Sequence, residues 1–216
     1  MTSLDQPPTL LRMAELAVRR LQRAARLCGA TVAWNLTIGG AAVATAVATA
    51  SLSLIGFGIN AVVDSSVSAL LVWRFRAEAS GLGERARRVE HLAVRVAGGA
   101  FAIVAVYVLV RAALSLASGK HPRSSLLGIG EALASLLVLP YLAVAKYRLS
   151  ALLGSRALRA DSLLTASGVA LATIALVGLI LQRAFGWWWS DPVAAILIGL
   201  VLAWQGNRTV REQPGS

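Results

Sequence analysis

Six separate stretches of this sequence stay apolar for the width of a lipid bilayer: residues 28–50, 52–75, 94–117, 125–146, 161–185 and 187–205. A helix needs about 20 such residues to cross the hydrocarbon core, because it rises only about 1.5 Å per residue. Lipid offers no hydrogen-bond partner to the backbone, so each stretch has to satisfy its own N–H and C=O groups as a helix. The apolar residues are mostly Ala, Val and Leu, with only 6% aromatics, a composition that suits close helix packing. At 57% hydrophobic and 14% charged, the chain also carries more apolar surface than one soluble core of ordinary size takes up. The expected fold class is an all-α integral membrane protein, a six-transmembrane-helix bundle.

The charges lie between the blocks. A formal net charge of +11 would draw a protein to nucleic acid if it formed one continuous patch, but here it is divided among loops, so no nucleic-acid partner is expected. Of the 21 Lys and Arg, 17 fall before the first span, between Arg74 and Arg95, between Lys146 and Arg159, or after the last span. The other four are Arg111, Lys120, Arg123 and Arg183. The positive-inside rule then places both termini in the cytoplasm, in agreement with an even number of spans, and the plasma membrane is the expected location.

Three regions follow from this pattern. Residues 1–27 read as a basic cytoplasmic segment, in which Leu10 to Leu27 mixes apolar residues with Arg12, Arg19, Arg20, Arg23 and Arg26 as an interfacial amphipathic helix does. Residues 28–205 form the transmembrane domain, and 206–216 a short cytoplasmic tail. The first apolar block is of full membrane length and lies behind a long basic stretch, so it is expected to stay as an anchor and not to be removed as a signal peptide. The tryptophans Trp187 to Trp189 suit the membrane interface at the start of the sixth span.

Few groups are available for chemistry. Cys28 is the only cysteine, which excludes an intramolecular disulfide and a cysteine-based zinc cluster. His91 and His121 lie in loops on opposite sides of the bilayer on this topology and cannot share a metal. No nucleophile beside a base, no carboxylate pair and no histidine cluster occurs, so the chain is not read as an enzyme.

Ionisable groups inside a span are costly and mark function by default. Asp64 is the deepest, at the middle of the second span and roughly 16 Å of helix from either end. Asn60 is four residues earlier and on the same face, with Ser65 and Ser68 nearby. Carboxylate and amide oxygens so placed can share a cation, or can serve as a hydrogen-bond network between helices. Asn35 is the other deep polar group, bridging helices or lining a path. Glu131 stands in the outer third of the fourth span, at the mouth of a cation path or paired with the loop that carries Lys120, His121 and Arg123. Asp161 opens the fifth span, where it suits the positive helix N-terminus and can pair with Arg156 or Arg159. Asp191, just before Pro192, reads as the N-cap of the last helix.

The run Ser53-Leu-Ile-Gly-Phe-Gly-Ile-Asn60-Ala-Val-Val-Asp64-Ser-Ser resembles the second helix of the cation diffusion facilitator family, in which two metal ligands stand four apart. A second run is similar to that family's fifth and sixth helices, from Gly154-Ser-Arg-Ala-Leu-Arg-Ala-Asp161-Ser through Trp187-Trp-Trp-Ser-Asp191-Pro. The resemblance implies a short-branch member without the cytoplasmic metal-binding domain, similar to vesicular zinc transporters. It implies a homodimer in the lipid bilayer that exchanges a divalent cation, zinc or a related transition metal, for protons. The metal is the transported substrate, and no tightly bound cofactor is expected.

Carried over by position, the second-helix ligands are Asn60 and Asp64, with Asn35, Glu131, Asp161 and Thr165 as possible helpers. The fifth-helix pair of that family, usually His and Asp, falls on Leu164 and Gly168, which bind nothing; Thr165 and Ser167 supply only hydroxyls. The family's four-ligand zinc site therefore cannot be assembled. Two other readings stand beside the transporter: a transport-inactive structural or regulatory partner that keeps the fold, and a proton-coupled exporter of another solute.

Overall fold

A computed structural model describes the backbone of residues 8–79, 83–119, 122, 123 and 125–211, and within these the side chains of 15–78, 99–119, 122, 123 and 125–207. The described residues form six helices and no strand: α1 Pro8–Thr49, α2 Leu52–Ala79, α3 Gly83–Ser118, α4 Leu126–Leu153, α5 Arg156–Phe185 and α6 Ser190–Arg211. Segments of α1 to α5 are long and apolar enough to cross a membrane. At 22 residues α6 is the shortest, and it carries Asp191, Gln205 and Asn207 within its length. It packs on α2, α3 and α5 as part of the same bundle.

Around the bundle the order is α1, α2, α3, α6, α5, α4 and back to α1, while α2 also touches α5 and α6. That position makes α2 the organising helix. Its approach to α1 depends on glycine: a Cβ on Gly39 would stand 2.8 Å from the Ala61 Cβ, and one on Gly58 would stand 2.9 Å from the Gly39 carbonyl oxygen. Larger residues at either position would force the two helices apart.

The first helix is continuous over 42 residues, so the stretch expected to lie at the interface runs straight into the span. Its inner face explains why. Leu21, Ala24, Ala25, Leu27 and Cys28 pack with Leu71 and Phe75 of α2, Leu149 of α4 and Leu158 of α5. This burial holds the lower half of α1 against protein, while Arg19, Arg20, Arg23 and Arg26 stay on exposed or rim positions.

The helix ends are set by local chemistry. α1 stops at Ala50, whose φ of 57° is left-handed, and the Thr49 carbonyl accepts from the Arg123 N–H at 2.8 Å. Ser125 caps α4 by accepting from the Gly128 N–H, and Ser155 caps α5 by accepting from the Leu158 N–H. Gly154 and Gly186 take the left-handed conformation that closes α4 and α5, at φ 59° and 70°.

The main core joins Phe57, Phe101, Leu171, Ile198 and Leu202 from α2, α3, α5 and α6. The outside is apolar as well: Leu137 is 81% exposed, and Val47, Ile103 and Leu127 are nearly as open. A soluble protein rarely shows such a surface, whereas lipid covers it at no cost. The chain is thus an all-α membrane bundle, as its apolar stretches of bilayer length imply.

A buried polar column as the candidate functional site

Asn60, Asp64 and Ser68 recur every four residues on α2 and share one face, which is turned inward: all three are buried. Each meets a different neighbour. Asn35 of α1 donates its Nδ2 hydrogen to Asp64 Oδ2 at 2.8 Å. The other oxygen, Asp64 Oδ1, is buried and has no partner. A desolvated carboxylate oxygen without a donor is expensive, and either a proton or a cation there would relieve the cost.

One turn above Asp64, Asn60 faces α5. A Cβ built on Gly168 would lie 3.9 Å from Asn60 Nδ2 and 3.4 Å from Leu139 Cδ1. Position 168 therefore faces Asn60 but offers no donor atom. Leu164 instead packs against the central core around Phe57 and Phe101. Asn35, Asn60 and Asp64 are thus brought together, and the two fifth-helix positions leave their side of the site apolar.

One turn below Asp64, a second cluster closes the column. Lys146 of α4 and Asp161 of α5, both fully buried, form an ion pair with Nζ 2.6 Å from Oδ2. Ser68 donates to Asp161 Oδ1 at 2.7 Å, and Lys146 Nζ donates to Ser68 Oγ at 3.2 Å and to Thr165 Oγ1 at 3.0 Å. The Cys28 thiol donates to Asp161 Oδ2 at 3.7 Å. Thr165, considered above as a helper of Asp64, serves this lower cluster.

At the other end of the column Glu131 accepts from Thr45 Oγ1 of α1 at 2.9 Å. Its second oxygen, Oε2, is buried without a partner, as is Ser135 Oγ one turn further along α4. Glu131 is therefore bonded inside the bundle, toward α1, and not spread toward the surface.

Three sequence expectations are corrected here. Asp161 does not cap α5: Ser155 does, and Asp161 lies in the second turn, paired with Lys146 and not with Arg156 or Arg159. Lys146 is not a cytoplasmic loop charge; removing it leaves sixteen positive charges on that side against four, so the orientation argument keeps its sign. Asp191 lies inside the first turn of α6, and its carboxylate reaches the start of α2, where it accepts from Ser51 Oγ at 2.6 Å, from the Leu52 N–H at 2.8 Å, and from Ser53 Oγ. It caps a neighbouring helix.

Sequence reasoning missed Lys146, although a signal was present. Glu131, Ser135, Leu139, Leu142 and Lys146 follow one another at helical spacing of three or four, so any inward face that holds Glu131 holds Lys146 too. Among the described residues, no group of three or more His, Cys, Asp or Glu side chains gathers as a metal cluster.

Buried carboxylates, amides and a lysine inside an all-helical membrane bundle mark a candidate site for handling ions within the bilayer. The family model described as the cation efflux transmembrane domain matches residues 30–213, and the chain belongs to that family of cation transporters.

Proposed function

We propose that this chain moves divalent metal cations across the plasma membrane in exchange for protons, with Asp64 as the carboxylate that carries the ion. The observation behind this reading is the buried, unpartnered Asp64 Oδ1, beside an Asp64 Oδ2 already oriented by Asn35. A cation at Oδ1 would draw further oxygens from the Asn60 and Asn35 amides and from water. Such a set is all oxygen, which suits harder divalent ions such as manganese at least as well as zinc.

Protons compete because a protonated carboxyl loses the charge that holds the metal. With one carboxylate replacing the hydration of a dication, binding is weak and release is easy, which suits transport more than storage. Rocking of the helices around the fixed site would expose Asp64 to each side in turn, with both termini in the cytoplasm and two copies forming the working unit.

Flux into proteoliposomes decides the matter. Zinc, manganese, iron and cobalt are offered in turn under an imposed pH gradient, with the Asp64→Asn variant alongside. At least one ion is expected to move at a rate that Asp64→Asn lowers a hundredfold or more; equal flux in both proteins, for every ion, rejects the reading. A second reading, a transport-inactive partner protein, is favoured by one observation: Gly168 faces Asn60 with no ligand to offer. It predicts no flux of any ion and a stoichiometric protein partner on purification.

A further inference from the structure

Lys146 is fully buried, and the manner of its burial is unusual. An ammonium has three N–H bonds, and here each has an oxygen: Asp161 Oδ2 at 2.6 Å, Thr165 Oγ1 at 3.0 Å and Ser68 Oγ at 3.2 Å. None of these oxygens comes from α4, the helix that carries the lysine. All three come from α2 and α5, the helices that hold Asn60, Asp64 and Gly168. The lysine thus reaches into an oxygen cradle built by other elements.

A buried ion pair adds little stability over a well-packed apolar replacement, so packing alone does not account for it. The cradle has the composition of a cation site: one carboxylate and two hydroxyls converging on a single charged atom, out of contact with bulk water. Its position matters equally. Ser68 is four residues after Asp64 on the same face of α2, and Asp161 and Thr165 precede Gly168 by seven and three residues on α5. Each helix therefore passes from one cluster to the other in about one or two turns.

We propose that Asp161, Ser68 and Thr165 form a second cation station on the path to Asp64, and that the Lys146 ammonium is its resident occupant, displaced when a divalent cation arrives. The lysine then acts as a tethered counter-charge. While the station is empty of metal it neutralises Asp161, so of the two neighbouring carboxylates Asp64 and Asp161 only Asp64 is left uncompensated. The four-carbon stem gives the ammonium the reach to withdraw and return without a change of backbone. The station extends the transport reading above, on which it rests for the choice of a divalent cation as occupant.

The test is equilibrium binding of zinc, and separately of manganese, to the purified full chain in detergent. Lys146→Ala removes the competing ammonium and, at a metal concentration too low to displace Lys146 in the unaltered protein, is expected to bind one more ion per chain than that protein. The added ion should disappear in Lys146→Ala/Asp161→Asn and persist in Lys146→Ala/Asp64→Asn. An unchanged stoichiometry for both metals in Lys146→Ala, or an added ion that survives Asp161→Asn, overturns the proposal. Where the alanine variant does not fold, Lys146→Met keeps the length of the stem without a donor to Asp161 and carries the same comparison.

The two readings fail differently. If Asp64→Asn alters neither flux nor binding while Lys146→Ala gains an Asp161-dependent ion, the role of Asp64 is wrong and the station stands. If Asp64→Asn abolishes flux and Lys146→Ala gains nothing, the station alone is wrong.

Discussion

Gly168 of α5 faces Asn60 of α2, and a Cβ at position 168 would lie 3.9 Å from the Asn60 amide nitrogen. The two positions are ones onto which the resemblance carries one ligand from each helix, and neither residue is charged or an imidazole. Placing carboxylates at both should therefore raise affinity. Asn60→Asp/Gly168→Asp is expected to bind zinc at least tenfold more tightly than the parent, read by competition with a chelating dye; tenfold corresponds to about 1.4 kcal/mol. Leu139 Cδ1, 3.4 Å from the new Cβ, is the end of a flexible side chain and can give way. An unchanged affinity in a folded variant would mean that the two positions do not address the same ion.

Asn35 orients Asp64 and is expected to matter less than Asp64 itself. Asn35→Ala leaves Oδ2 without its donor but keeps the charge, so flux should fall by roughly tenfold, the worth of one hydrogen bond to a charged group, about 1.5 kcal/mol. Asp64→Asn should cost far more. Initial rates for the two variants in the same vesicles check the order, and a reversal would assign the leading role to Asn35.

Asp191 is a stability residue. Its carboxylate accepts from Ser51 Oγ, Ser53 Oγ and the Leu52 N–H, so Asp191→Ala strands three buried donors at the start of α2. A loss of about 3 kcal/mol is expected, allowing for non-additivity among bonds to one charged group. The thermal midpoint in detergent should drop by several degrees, with metal binding at Asp64 retained in the folded fraction. A midpoint unchanged within error would show that water replaces the carboxylate.

Ala50 closes α1 with φ of 57°, a conformation that costs an L-residue about 1–2 kcal/mol. Ala50→Gly relieves the strain and pays about 0.5–1 kcal/mol in added freedom of the unfolded chain. The expected net effect is a small rise in thermal midpoint. A fall would indicate that the Ala50 methyl makes a packing contact worth more than the strain.

Much of the fold was legible because lipid imposes a single rule on it. A run of apolar residues must be a helix, and 52–75, 94–117 and 161–185 are each found within one. Asp64 stood out for a related reason, since a carboxylate at mid-span is costly, and it is found buried and bonded to Asn35. The lower cluster was not. Lys146 and Asp161 stand at the margins of their spans, where a lysine reads as an orientation charge and an aspartate as a cap, and both ordinary explanations were available. Only packing shows that α4 and α5 continue as helix well past those margins, to Leu153 and back to Arg156, and so carry both residues into the interior. The partner of Asp191 was beyond reach altogether, because Ser51 is 140 positions away and no local pattern links them.

The bonds from α2 to Asp191 fix where that helix can turn. Any tilt of α2 that preserves them pivots at Leu52, as a door swings from one hinge. Asp64 lies about 18 Å along this arm and Ser68 about 24 Å, at about 1.5 Å per residue. A swing that shifts Asp64 by about 3 Å therefore shifts Ser68 by about 4 Å, in proportion to those lengths. With α1, α4 and α5 held in place, Ser68 draws away from Asp161 and Lys146 farther than Asp64 draws away from Asn35.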